Sequence, residues 1–357
     1  MFFRLAGIRH TSYPAARALW PIPFDRYVLG IVLLFALAAP LVLPDRYMLG
    51  YLLPWVIWST AALGLNLLMG WAGQIHLGYA AVMALGGYGA VHLGRFGVPF
   101  ELAVLGGGFI AASCGIVFGF AALRVKGLYL AISTLAMQYM VDWVINHFPG
   151  ISGGSQATLQ APAVRILGMP VVSNGGRYYV ALAVCIVVTI FILNVSRTSF
   201  GRALVAVREK DFAAAIIGVD AFGYKLRAFW CSSFIGGVTG AVLGYCYYRA
   251  LAPEMFHLDV SIQAVAMVIV GGLGSVVGSY LGAALVLLAP IVLNNSIAAL
   301  MQLFNLSPTQ EMMTYLPLLL YGALISGFLL FDPLGLAKIY DNLRNYLTVW
   351  PFRHARH

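Results

Sequence analysis

Apolar runs close to the thickness of a bilayer's hydrocarbon core recur along this chain, and almost every charge lies between them. The runs fall at about 27–43, 47–69, 74–93, 98–123, 128–145, 177–196, 228–248, 258–273, 276–293 and 315–331. A helix needs roughly 20 apolar residues to cross, so some runs span unaided and others are short or interrupted by glycine and proline. Only 9% of the residues are charged and 61% are hydrophobic, against about 25% charged in soluble domains. So few charges cannot cover a soluble surface, and lipid must be the solvent for most of the chain. The reading is an all-α, polytopic membrane protein with about 8–10 transmembrane helices, some short or broken.

Residues 1–26 form an N-terminal arm, 27–331 the transmembrane domain and 332–357 a basic tail. "ALAAP" at 36–40 offers a small-residue cleavage pattern, but the preceding "YPAARALWPIPF" is a poor signal-peptide flank, so the first apolar run reads as retained. If the arm is cytoplasmic and every run crosses, 16 of the 21 Lys and Arg fall on the cytoplasmic side. These sit in the arm, at Arg124 and Lys126, in the loop 197–227 and in the tail, which places both termini in the cytoplasm. Loops 146–176 and 294–314 then face outward.

The formal charge of +9 does not indicate nucleic acid, because no basic run is interleaved with stacking aromatics. Cys114, Cys185, Cys231 and Cys246 lie inside apolar runs without metal-ligand spacing and read as small hydrophobes. No metal site is expected. The chain lacks a phosphate-cradling G-x-x-x-x-G-K-[ST] loop, H-E-x-x-H and G-x-S-x-G. An enzyme reading therefore has no catalytic constellation to rest on.

Glycine is concentrated where it should weaken helices. "GLNLLMGWAGQIHLGYAAVMALGGYGAV" (64–91) holds seven glycines, each costing roughly 1 kcal/mol relative to alanine in an exposed helix. Small residues at every fourth position elsewhere share a helix face: Gly107, Ala111, Gly115 and Gly119; Ser232, Gly236, Gly240 and Gly244; Gly274, Gly278 and Gly282. In lipid such faces allow close backbone approach. The stretches 64–91 and 271–282 go further and read as broken segments lining a pathway, since irregular backbone at membrane depth must be buried in protein or line a cavity.

Intramembrane ionisable groups, which mark proton relays or coupling ions, are almost absent. Asp142 reads as a solvated interfacial group, and His76 and His92 as isolated, hydrogen-bonded histidines. The neutral Asn66, Gln74, Ser133, Thr134 and Gln138 either bond across helices or face a polar substrate. With His76 they are the candidate pathway residues.

One long cytoplasmic loop stands out. Its stretch "RALVAVREKDFAAAIIG" (202–218) has helical spacing, with Ala203, Val207, Ala214 and Ile217 able to share an apolar face and Gly218 placed to stop the helix. Arg208, Glu209, Lys210 and Asp211 form a charged cluster. An exposed helix of this kind suits a partner's groove.

"GRALVAVREKDFAAAIIGVDAFGYKLRAFWCSSFIGGVTGAV" resembles the cytoplasmic region of permeases in the branched-chain amino acid (LivM-type) class of ABC importers. "GLNLLMGWAGQIHLGYAAVMALGGYGA", "VKGLYLAISTLAM" and "SIQAVAMVIVGGLGSVVGSYLGAAL" resemble the same family, over about residues 45–335. The resemblance implies an inner-membrane subunit that pairs with a second related permease. Two ATP-binding cassette subunits bind beneath, and a periplasmic binding protein delivers substrate. ATP and magnesium would bind those ATPase subunits, with no cofactor on this chain. It also implies that Arg202, Arg208, Glu209, Asp211, Ala213, Ala214 and Gly218 belong to a coupling helix docking into an ATPase cleft. Two departures stand out: Phe212 replaces the glutamate that usually precedes the two alanines, and His76 and Tyr79 occupy the serine and histidine places of Gly-Gln-x-Ser-Leu-Gly-His. Relatives carry leucine-like amino acids, urea and short amides, or aromatic and other small carboxylates. The rival classes are a self-sufficient secondary transporter or channel, which needs coupling charges at mid-membrane, and a membrane enzyme or scaffold.

Overall fold

Helix α1 (Pro23–Val42) precedes α2 (Asp45–Trp71), a continuous rod with π-helical turns near both ends. The computed structural model describes residues 23–122, 128–154, 158–166, 168–303 and 335–349, with scattered positions from 316 to 330. Most of the predicted run 315–331, most of the N-terminal arm, and Arg124 and Lys126 lie outside the described residues. The chain continues through α3 (Tyr79–Arg95), α4 (Phe100–Ala122) and α5 (Leu128–His147). Three short strands follow: β1 (Leu159–Gln160), β2 (Arg165–Ile166) and β3 (Met169–Pro170). Next come α6 (Asn174–Arg197), α7 (Ser199–Glu209), α8 (Asp211–Ile216) and α9 (Ala221–Tyr248). Strand β4 (Ala250–Leu251) and a 3-10 turn (Pro253–Phe256) lead into α10 (Leu258–Gly271), α11 (Val276–Leu303) and α12 (Leu336–Val349).

Among the described residues six segments are long and apolar enough to cross a membrane: α2, α4, α6, α9, α10 with its preceding turn, and α11. Helices α1, α3 and α5 add 20, 17 and 20 residues. Large apolar side chains such as Ile31, Leu34, Phe109, Val117 and Val187 point outward, an arrangement suited to acyl chains and not to water. Three predicted boundaries shift by five residues or more, among them the end of the ninth run, which continues as helix to Leu303 instead of stopping at 293. The third segment starts at Tyr79 instead of 74, and the seventh at Ala221 instead of 228, because Asp220 accepts a hydrogen bond from Gly223 N (3.1 Å) and caps the helix early.

The centre is a trio of helices, α3, α4 and α9, held together by glycine. Gly86 meets the backbone of Gly237, a Cβ on Gly240 would fall on the Met83 carbonyl, and one on Gly107 would fall on the Gly86 carbonyl. No larger residue fits without moving a helix, so backbone dispersion contacts replace the hydrophobic drive that lipid withholds. Gly236 lies against Tyr79 (3.1 Å to a built Cβ) and Gly244 against Leu251 (2.8 Å). Gly278 and Gly282 make the same kind of contact with Gly271 and Met267 between α10 and α11. Gly274, predicted to join that stripe, instead forms the turn between the two helices at φ +82°.

The loops gather into two groups. At one end Asn174 donates to Asp45 (3.2 Å), Arg95 to the Gln160 carbonyl (3.4 Å), and β1 pairs antiparallel with β4. At the other end Arg208 reaches Gly70, Trp71 Nε1 donates to the Gly274 carbonyl (3.1 Å), and Gly335 sits on Gly272.

Candidate functional site at a pair of helix breaks

Between α2 and α3 the chain leaves helical geometry over residues 72–78, with Gly73 at φ +66°. The first N–H groups of α3 are thus left without intrahelical acceptors, and they start inside the protein, where Tyr79, Ala80 and Ala81 are fully buried. Gly78 has no side chain to cap them. Other helices do it: Thr134 Oγ1 of α5 accepts from Leu77 N (3.0 Å), Ser261 Oγ of α10 from Ala80 N (2.8 Å), and Gln138 Oε1 of α5 from Ala81 N (2.8 Å). Gln138 also accepts from Ser261 Oγ (3.0 Å) and donates from Nε2 to the Phe256 carbonyl (2.7 Å) and to Asp142 Oδ1 (3.2 Å).

A second break separates α10 from α11, with Gly272 and Gly274 both at positive φ. Asn66 ties it to α2, accepting from Gly274 N (2.8 Å) and donating to the Ser275 carbonyl (2.9 Å) and Ser279 Oγ (2.8 Å). The breaks abut, for a Cβ on Gly70 would strike both Asn66 Oδ1 and Gly274 N.

A further group of buried polar atoms surrounds the start of α3 without hydrogen-bond partners. They are both amide atoms of Gln74, Nε2 of His76, and the hydroxyls of Tyr79 and Ser232, all on residues at most 2% exposed, while the unpartnered Ser233 hydroxyl lies against Gly115 of α4. The Tyr79 hydroxyl faces Ser232 without reaching hydrogen-bond geometry, and the His76 ring lies 4.9 Å from that of Phe229. Each unsatisfied buried group costs about 1–3 kcal/mol, so such a concentration marks a place where something besides the fold supplies partners.

The candidate pathway residues thus divide. Gln74 and His76 belong to the unpartnered group. Asn66, Thr134 and Gln138 are occupied in capping the two breaks, while Ser133 lies half-buried outside that network. Ser261 and Tyr79 were missed as polar site residues, and Ser232 was read only as a small packing residue. His92 is hydrogen-bonded as expected, Nε2 to the Ile151 carbonyl at 2.7 Å. Asp142 is not simply solvated: besides Gln138 it faces His257 Nδ1 at 3.6 Å, with its side chain 16% exposed.

The stretch 202–218, predicted as one helix, is two. Lys210, at φ −153° and ψ 97°, separates α7 from α8. The expected common apolar face is absent. Leu204 buries α7 against the core around Leu67, Ala228 and Phe229, and Val207 on α7 and Ala214 on α8 are also buried, whereas Phe212, Ile216 and Ile217 are 80%, 71% and 74% exposed. Asp211 accepts from Lys225 Nζ (2.6 Å), holding α8 to the start of α9. Gly218, at φ +85°, does end the short helix, and Ala213 is exposed. Arg202, also exposed, donates to the Arg197 carbonyl (3.1 Å), and Glu209 pairs with Arg208 (2.8 Å).

Helices long and apolar enough to cross a membrane, packed through glycine and interrupted by two abutting breaks, have the architecture expected of a membrane transport subunit. Residues 47–329 match the model of the family described as branched-chain amino acid transport system / permease component, and the chain belongs to that family. The high-affinity branched-chain amino acid transport system permease protein LivM of Salmonella typhimurium is 29% identical over 258 residues, 66% of this chain and 60% of the relative. LivM of Escherichia coli is 29% identical over 244 residues, 62% of this chain and 57% of the relative. A probable LivM of Methanocaldococcus jannaschii is 22% identical over 193 residues, 54% of this chain and 56% of the relative. The matches therefore span less than two-thirds of these relatives' length. Among solved structures, PsaBC from Streptococcus pneumoniae in complex with Fab aligns at TM-score 0.44 and 11% identity, over 87% of this chain and 99% of that one, a likeness that carries no argument here.

Proposed function

We propose that this chain is a non-catalytic permease subunit of an ATP-driven importer for branched-chain or related hydrophobic amino acids. It forms the translocation pathway together with a second, related permease. The observation that carries the reading is the group of unpartnered Gln74, His76, Tyr79 and Ser232 at the helix break. These groups are neutral, so they favour a small polar or zwitterionic cargo over an ion that needs charge compensation. Energy comes from two separate ATPase subunits, where ATP and magnesium bind, and a periplasmic binding protein delivers the cargo. The outward Phe212, Ile216 and Ile217 of α8 supply an apolar knob for the ATPase cleft, taking over by burial what a glutamate would do by charge. Both termini lie in the cytoplasm, in keeping with the grouping of the loops.

Uptake assays on cells deleted for this chain test the proposal. Loss of leucine, isoleucine and valine uptake, restored by the chain, is expected. Unchanged uptake of these together with loss of urea, short-amide or aromatic-carboxylate uptake would replace the cargo class.

A further inference from the structure

Arg208, expected to face a partner, is partly exposed but also reaches back to the end of α2. From the last turn of α7 its Nη1 donates to the carbonyl of Gly70, which the end of α2 leaves without a helical donor, and its Nη2 holds Glu209 Oε1 at 2.8 Å. Its alkyl stem lies against Gly73, where a Cβ would stand 2.6 Å from Arg208 Cγ. Gly70 is itself packed on Gly274, and Trp71 Nε1 and Asn66 grip the same turn from α2. One side chain thus touches the first break directly and the second through a single intervening glycine. On its other side, one residue beyond Glu209, lies the bend at Lys210 and then the exposed helix α8.

From this geometry we infer that Arg208 is a positioning residue that transmits displacement of the α7–α8 pair to both helix breaks. The inference rests on the reading of the chain as an ATP-driven permease. The physical reason is stiffness. A planar guanidinium bonded to a backbone carbonyl, with its stem seated on a glycine, is far less compliant than an apolar contact. Movement of α7 must therefore move Gly70, and with it Gly274. Leu204 anchors α7 to the core around Leu67 and Phe229 through apolar contact alone.

The test uses the complete transporter in proteoliposomes, reading cargo molecules taken up per ATP hydrolysed in the presence of loaded binding protein. Arg208→Met keeps the stem and removes the donor. It is expected to lower that ratio by about tenfold, the scale of one charge-assisted hydrogen bond, while stimulated hydrolysis continues. Arg208→Lys, which can still reach the carbonyl, should recover part of it. Gly73→Ala pushes the stem from the opposite side and, at φ +66°, also strains the first break, so it should lower the ratio at least as far, with the double variant Gly73→Ala/Arg208→Met no worse than Gly73→Ala alone. A wild-type ratio in both single variants, or additive losses in the double variant, would overturn the inference. If Arg208→Met fails to assemble, Gly73→Ala and Arg208→Lys decide alone. Wild-type liposomes that accumulate nothing with ATP would instead sink the permease reading.

Discussion

Replacing Gln138 by leucine separates a residue that holds the fold from one that contacts cargo. The leucine fills the volume but strands two buried backbone groups, the Ala81 N–H in the first turn of α3 and the Phe256 carbonyl. At about 1–3 kcal/mol for each stranded group, the loss is about 2–6 kcal/mol. Ser261 keeps the hydrogen bond from Ala80 N, and Asp142 retains His257 as neighbour, so neither adds a full penalty. Adding Ser261→Ala strands the Ala80 N–H as well and should deepen the loss. The neighbouring Ser133→Ala, outside the network, should change stability by no more than about 0.5 kcal/mol. Tryptophan fluorescence of the detergent-solubilised transporter, heated at one fixed rate, ranks the variants. Wild-type melting of Gln138→Leu with abolished uptake would refute the capping role and return Gln138 to the pathway.

Gly240→Ala places a methyl on the Met83 carbonyl and should destabilise the α3–α9 contact by about 1–3 kcal/mol or more; normal melting of this variant would show that those backbones do not touch. Phe212→Asp should weaken retention of the ATPase subunits during purification while leaving insertion intact. Ala214→Trp, by contrast, should destabilise the chain itself, because Ala214 is 2% exposed. Unaltered retention in Phe212→Asp would remove α8 from the docking surface. Val172 and Phe212 are both exposed, at opposite ends of the bundle. An impermeant thiol reagent on intact cells should label Val172→Cys and spare Phe212→Cys, and the reverse pattern would invert the threading.

The segments were legible because bilayer thickness fixes how long an apolar run must be, and the glycine faces because spacing by four needs no tertiary information. Gly236, Gly240, Gly278 and Gly282 accordingly fall in helix contacts. Gly274 departs because the same spacing runs across a turn, and only its positive φ separates a turn glycine from a packing one. The polar residues were legible as a set but not by task. Whether Gln138 faces cargo or a backbone N–H depends on Ala81 and Phe256, which lie 57 and 118 residues away. The bend at Lys210 escaped for a similar reason. Helical propensity continues through it, but burying both Val207 and Ala214 and pairing Asp211 with Lys225 redirect the chain.

The central claim is that ATP hydrolysed on partner subunits drives cargo through this chain, and its most direct measurement is accumulation of radiolabelled leucine in proteoliposomes. They would carry the purified complex of this chain, its second permease and both ATPase subunits, with the binding protein on the cargo side and ATP on the other. Accumulation against a gradient is expected with ATP, and none with a non-hydrolysable analogue or without the binding protein. Accumulation driven by a proton or sodium gradient in the absence of ATP would contradict the account and make the chain a secondary transporter.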